Sequence, residues 1–332
     1  MMRTKIVGHG FFVPENIVTN FDLEKIMDTS NEWIVERSGI HERRFIVPDG
    51  DVSTSDLAVK ASQKALEMAG LKADDIDLII AATLSPDFFF PGIGVLIQSK
   101  LACKAIPAFD LRQQCCGFIY GLQMADLFIK SGVYKTILLV GAEVQSPGLD
   151  KTTRGRDISV LFGDGAGAFI LQNSDDGSDI LGSKLYSDGR YYDQLWLEYP
   201  LTKKTGRISC EDIEAGRHHP KMNGRNVFRH AITKIPEVVF EILKEHQLTV
   251  QDIAMVVPHQ ANQRITEAVA QRLGLPMEKV YSNIAKYGNT TAATVPIAFH
   301  EAWEAGLFKR GDLVVTTSFG SGFTWGANLI RY

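Results

Sequence analysis

Long apolar runs are what this 332-residue chain most plainly lacks. None approaches the roughly 20 residues that a membrane-crossing helix needs. The opening Met1-Met2-Arg3-Thr4-Lys5 carries no apolar segment of the kind that directs secretion. Cysteine is scarce: Cys103, Cys115, Cys116 and Cys210 fall at no spacing that suits a metal site or a disulfide framework. Free thiols in a reducing cytoplasm, and no metal, are therefore expected. A basic excess is missing too. The formal net charge of −4 argues against binding to nucleic acid, while leaving room for a local basic patch. What remains, 45% hydrophobic and 22% charged, is the composition of a soluble globular protein of one large domain or two ordinary ones.

The stretch that organises the rest runs from Asp110 through Cys115-Cys116-Gly117-Phe118 to Gly121. Before it, Ala105 to Leu111 reads as a short buried strand. After it, Cys116 to Gly132 reads as a helix of about four turns, apolar on nearly every face. A helix without a wet face belongs in the middle of a protein. Cys115 thus stands at a helix start, where unpaired amides and the macrodipole favour an anion and a thiol can ionise near neutral pH. The same residues also suit two small apolar cysteines that only fill core space.

Elsewhere the chain alternates strands and helices. Strands are expected at 3–13, 77–83 and 136–141, and helices at 31–37 and 54–70, the first with Trp33 and Arg37 on one face. Phe162 to Leu171 is a glycine-rich turn leading into a strand, not a helix, and it lacks the lysine of a phosphate loop; its glycines suit close backbone packing. Residues 172–225 read as polar and irregular, a divider between two units, 1–173 and 174–332. The units resemble each other. Asp75-Ile76-Asp77-Leu78-Ile79-Ile80 has its counterpart in Asp252-Ile253-Ala254-Met255-Val256-Val257, and Gly167-Ala168-Phe169-Ile170-Leu171 in Gly326-Ala327-Asn328-Leu329-Ile330. Such a duplication points to a site between the halves.

Three constellations in the second half carry chemistry. Val257-Pro258-His259-Gln260-Ala261-Asn262 sets His259 just past a buried strand, where open α/β sheets place catalytic groups, or where a structural histidine would simply be housed. Gly288-Asn289-Thr290 puts Asn289 at a turn into a helix, fit for a donor or for a plain cap. Ser318-Phe319-Gly320-Ser321-Gly322-Phe323-Thr324-Trp325-Gly326 is a turn whose amides could face a developing oxyanion or merely close the turn.

Taken in order, Cys-x-Gly-Phe, Val-Pro-His-Gln-Ala-Asn, Gly-Asn-Thr and Phe-Gly-x-Gly-Phe-Thr-Trp-Gly make the chain resemble the β-ketoacyl-acyl carrier protein synthase III branch of the thiolase superfamily, from about residue 3 to the C-terminus. The resemblance implies an α/β, duplicated thiolase-like fold, its two sheet-and-helix halves stacked in five αβαβα layers. It makes Cys115 the nucleophile and His259 and Asn289 its catalytic partners. The latter two would stabilise an enolate, and the helix start alone would activate the thiol. The amides of Cys115 and Ser321 match the oxyanion hole, with only the backbone of Ser321 expected to matter. Trp33, Arg37 and Arg156 match the coenzyme A site, with Asn262 and Arg225 also on the substrate side. Phe90 matches a residue that reaches across a dimer into the partner's acyl pocket. Arg229 and Arg264 match the mouth where an acyl carrier protein docks.

The implied activity is a decarboxylative condensation of an acyl-CoA primer with malonyl-acyl carrier protein through an acyl-cysteine, in fatty acid biosynthesis. The implied setting is a cytoplasmic homodimer with no cofactor beyond the coenzyme A thioester it uses as substrate. Two alternatives stay open: a specialised ketosynthase or acyltransferase of secondary metabolism, and a non-catalytic partner subunit. The presence of Cys115, His259 and Asn289 speaks against the second. The stretch from Ser187 to Pro220 looks longer than in the housekeeping enzymes, which leaves primer length and acceptor open.

Overall fold

A computed structural model describes residues 2–332. Nine strands build the two main sheets. The first sheet holds β1 (Thr4–Phe12), β2 (Leu78–Ala82), β3 (Ala108–Leu111), β4 (Thr136–Glu143) and β5 (Gly165–Asn173). The second holds β6 (Asp179–Ser187), β7 (Met255–Pro258), β8 (Leu313–Gly320) and β9 (Thr324–Arg331). Six helices matter to the site: α1 (Asn31–Ser38), α2 (Thr54–Ala69), α3 (Gly117–Lys130), α4 (Gly224–Glu245), α5 (Gln263–Leu273) and α6 (Thr294–Glu304).

The duplication legible in the sequence is a duplication of topology. The first sheet runs in the order β1-β5-β4-β2-β3 and the second β6-β9-β8-β7. From β1 and from β6 alike, the pairings are antiparallel, antiparallel, then parallel. Strand β2, Leu-Ile-Ile-Ala-Ala, is buried at every residue, because helices cover both faces of the sheet. On its outer face α2 presents Leu57, Ala58, Ala61 and Ala65. On its inner face Ile80, Leu139 and Phe169 meet Phe118 and Leu122 of α3 and Phe299 of α6, which meet Val257 and Val314 of the second sheet in turn. Helices α4 and α5 cover the far side through Ile235, Val239, Ile242 and Val269. The result is the five-layered αβαβα stack with α3 and α6 in the middle.

Two expectations change. Helix α3 is not dry all round: Leu127 is 58% exposed at its outer end. Residues 172–225 are not irregular either, since they contain β6, nine residues long. That strand escapes the sequence pattern because it is an edge, hydrogen-bonded on one side and only partly buried, so its apolar residues Ile180, Leu181 and Leu185 do not alternate. Further on, Leu195–Trp196 pairs with Lys221–Met222 as a small two-stranded flap. Ser209 caps the helix Cys210–Glu214, and the buried Asp212 carboxylate is gripped by Lys204 and Arg217. As expected, the glycine-rich turn before β5 serves close packing: a Cβ on Gly163 would come within 2.3 Å of the Tyr287 carbonyl oxygen. Among the described residues no helix is long and apolar enough to cross a membrane, and all four cysteines are free thiols.

Candidate active site

A cavity of about 580 Å³ runs from half-buried Trp33 and exposed Arg37 of α1 down to Cys115. Its size suits a small-molecule ligand. Cys115 sits in the 3₁₀ turn Gln114–Cys116 that leads into α3, two residues before the helix proper. Ser318 at the end of β8 fixes that turn by donating its hydroxyl to the Cys115 carbonyl at 2.8 Å. Glycine is required at 320, because a Cβ there would lie 2.6 Å from the Cys115 Cβ and 3.2 Å from its sulfur. The bare backbone lets the turn after β8 close over the thiol, and the amides of Cys115 and Ser321 both favour its thiolate.

Burial works the other way and wins, pushing the Cys115 thiol well above its ordinary value. That runs against the ionisation near neutral pH expected of a helix start. The neighbouring Cys116 points elsewhere. It is wholly buried, donates its thiol to the Thr324 carbonyl at 3.3 Å and does not line the cavity.

His259 follows β7 immediately and lines the same cavity. Its Nδ1 lies 2.6 Å from the Thr294 hydroxyl at the start of α6, while Nε2 has no protein partner. Burial pushes the ring down to about 3, so it is neutral. The Thr294 hydroxyl is also 2.9 Å from the Thr291 carbonyl, and whichever acceptor takes its proton sets the imidazole tautomer. Asn289, 6% exposed, lines the cavity opposite. Its Oδ1 accepts the Thr291 amide at 2.8 Å, which leaves the Nδ2 hydrogens free as donors.

Most of the residues singled out in the sequence meet in this one cavity. Trp33, Arg37, Arg225, Asn262 and Arg264 all line the cavity with Cys115, His259 and Asn289. Arg156 stands just outside, its guanidinium 5.2 Å from the Trp33 ring on which Arg37 packs at 4.6 Å. Asn262 also caps α5 and donates to the Arg37 carbonyl at 2.8 Å, tying the two helices that carry the rim together. Arg229 belongs to a separate, shallower cavity beside Arg190, His230 and Trp325. Phe90 is 77% exposed and lies away from this chain's own cavity.

Ser321 makes a second contact besides its amide: its hydroxyl donates to the Leu195 carbonyl on the flap that walls the cavity. Lining residues to which the sequence assigned no role include Phe162, Leu195, Met222 and Phe319. Phe319 carried a signal as part of the Ser318–Gly326 motif, and Leu195 one from the aromatic-rich stretch Tyr191–Trp196. Thr291 and Thr294, which hold the two polar groups, carried none beyond sitting after Asn289.

Comparison with known proteins agrees with this geometry. Residues 109–189 match the family described as 3-oxoacyl-[acyl-carrier-protein (ACP)] synthase III, and residues 243–332 match its C-terminal part. The β-ketoacyl-[acyl-carrier-protein] synthase III of Aquifex aeolicus is 44% identical over 331 residues, all of both chains. That of Caldanaerobacter subterraneus is 45% identical over 327 residues, 98% of this chain and 97% of the relative. The crystal structure of the Aquifex aeolicus synthase superposes with a TM-score of 0.90, covering 99% of this chain and 100% of that one.

Proposed function

Because the chain belongs to the 3-oxoacyl-[acyl-carrier-protein] synthase III family, we propose that it condenses an acyl-CoA with malonyl-acyl carrier protein through an acyl-Cys115 intermediate. The observation that carries this reading is the convergence, in one cavity, of a thiol faced by two amides with an imidazole Nε2 and a carboxamide nitrogen, both free of protein partners. In the first half-reaction the Cys115 sulfur attacks the thioester carbonyl, and the tetrahedral oxyanion is held by the Cys115 and Ser321 amides. The thiol proton ends on the departing coenzyme A sulfur. In the second half-reaction the malonyl thioester loses carbon dioxide. Its thioester oxygen then carries the enolate charge, held by His259 Nε2–H and Asn289 Nδ2–H, and the carbanion attacks the acyl carbon. For His259 to donate there, the Thr294 hydroxyl donates to Nδ1.

The rim supports the substrates. Trp33 between Arg37 and Arg156 supplies an aromatic face and positive charge for an adenine nucleotide, and Arg225 extends the charge. Exposed Arg229 and Arg264 give a net-negative protein a local basic face for an acidic carrier protein. Phe90 acts across a homodimer, in the cytoplasm, and no cofactor is needed beyond the coenzyme A thioester as substrate. The test is to supply acyl-CoA and malonyl-acyl carrier protein and weigh the carrier protein. The reading predicts a 3-oxoacyl product and carbon dioxide in equal amounts. Free malonyl-acyl carrier protein with no product would refute it.

A further inference from the structure

Thr291 holds an unusual position. Its φ is +52, the left-handed region, which a β-branched residue rarely adopts. Strained backbone of this kind persists only where surrounding contacts over-determine it. Here it has a direct consequence: the turned backbone brings the Thr291 amide onto Asn289 Oδ1 at 2.8 Å, and that bond leaves the carboxamide nitrogen as the free donor in the cavity.

What holds Thr291 is a carboxylate the reaction does not use. Glu143 ends β4, has no exposed surface, and lies where the backbone of β4 meets the residues after Asn289; a Cβ on Gly141 would be 2.5 Å from the Ala292 carbonyl oxygen. The Ala292 amide donates to the carboxylate. Gln145 Nε2 bridges Glu143 Oε2 at 3.4 Å and the Thr291 hydroxyl at 3.2 Å. On its other side Glu143 accepts from the Ser85 hydroxyl at 2.6 Å and from the amides of Leu84 and Ser85 at 3.2 Å. One buried carboxylate therefore grips the strained turn from both Thr291 and its next residue, and anchors that grip to the loop after β2.

We propose that Glu143, through Gln145 and the Ala292 amide, is a positioning residue for decarboxylation: it keeps Thr291 in its left-handed conformation and so keeps the Asn289 nitrogen aimed at the substrate. The proposal rests on Asn289 acting as a donor to the malonyl thioester. A carboxylate that merely ties loops together would, when changed, affect both half-reactions alike. A clamp on Asn289 affects one.

The two half-reactions of Glu143→Gln are measured separately, by intact mass for acylation of Cys115 and by carbon dioxide release from malonyl-acyl carrier protein. The amide cannot accept the Ala292 and Ser85 amides while also receiving Gln145, so the turn relaxes. Carbon dioxide release falls roughly a hundredfold, as for a reacting group displaced by about an ångström, while acylation does not fall, since the charge removed is one that opposes the Cys115 thiolate. Adding Thr291→Gly restores much of the loss, because glycine holds a positive φ unaided. Gln145→Leu, which cuts the bridge and leaves the carboxylate in place, gives the same split on a smaller scale and serves if Glu143→Gln does not fold. An unchanged rate of carbon dioxide release, a parallel loss of acylation, or a double variant no better than Glu143→Gln contradicts the assignment. Wild-type enzyme that releases no carbon dioxide would instead contradict the proposed reaction itself.

Discussion

Cys115, His259 and Asn289 divide the work by what each one's hydrogen bonds leave free. Asn289 has its oxygen occupied and its nitrogen free, so it can only donate into the cavity. His259 is neutral and has one ring nitrogen engaged by Thr294. Neither faces Cys115 as a charged partner. Asn289→Ala and His259→Ala are therefore expected to accept acyl groups on Cys115 while losing carbon dioxide release by on the order of a hundred- to a thousandfold, as for loss of one oxyanion donor. Rapid-quench acylation and carbon dioxide release, measured side by side, check this; a variant that lost acylation and kept release would reverse the roles. At this scale the sequence was informative wherever a residue type is itself the chemistry. Thiol, imidazole and carboxamide could be picked from their motifs. The residues that aim them could not, because Glu143 and Gln145 lie 146 and 144 positions before Asn289, and their purpose is set by a contact between the end of β4 and the turn after Asn289.

Among the elements, the flap formed by Leu195–Trp196 and Lys221–Met222 departs furthest from the sequence reading. Leu195 and Met222 wall the cavity, Tyr191 stacks on Phe323 at 5.1 Å, and the Ser321 hydroxyl holds the Leu195 carbonyl. Removing that hydroxyl with Ser321→Gly leaves the carbonyl without this donor and frees the flap. The expected cost is about 1 kcal/mol of stability, with kcat/KM shifting toward longer acyl-CoA primers. Urea titration and a primer series measure both, and an unchanged primer ranking would remove Ser321 from the specificity account. Helical spacing of apolar residues made α2 legible from sequence alone, and unbroken apolar runs did so for β2 and β7. Edge strand β6 and the flap were not, since a half-covered strand and a two-residue pairing owe their form to neighbours far along the chain.

For the whole molecule, Phe88, Phe89 and Phe90 are 58%, 62% and 77% exposed on one loop, more apolar surface than a lone subunit leaves in water. The proposed two-fold interface would cover it, so light scattering should return twice the 36.8 kDa chain mass. Phe90→Ala should then move primer preference by about 1–3 kcal/mol per methylene accommodated. A monomer, or an unmoved ranking, contradicts this.

The two halves are also tied by His9, whose Nδ1 is 2.8 Å from His300 and whose Nε2 is 2.9 Å from the Tyr332 hydroxyl. Burial pushes His9 down to about 2, against 6.5 when unfolded, so between those values the unfolded chain binds the extra proton and stability falls as pH drops. The loss is about 2 kcal/mol for this ring by pH 5. His9→Asn should be spared that much of the change in unfolding free energy between pH 7.5 and pH 5, and an identical pH slope in both proteins would rule out the cause. The account as a whole stands on one covalent bond. Intact-mass and peptide mapping after incubation with acyl-CoA should place a single acyl group on Cys115 in wild type and in Cys116→Ala, and none in Cys115→Ser; an acyl group retained by Cys115→Ser, or found on Cys116, would contradict it.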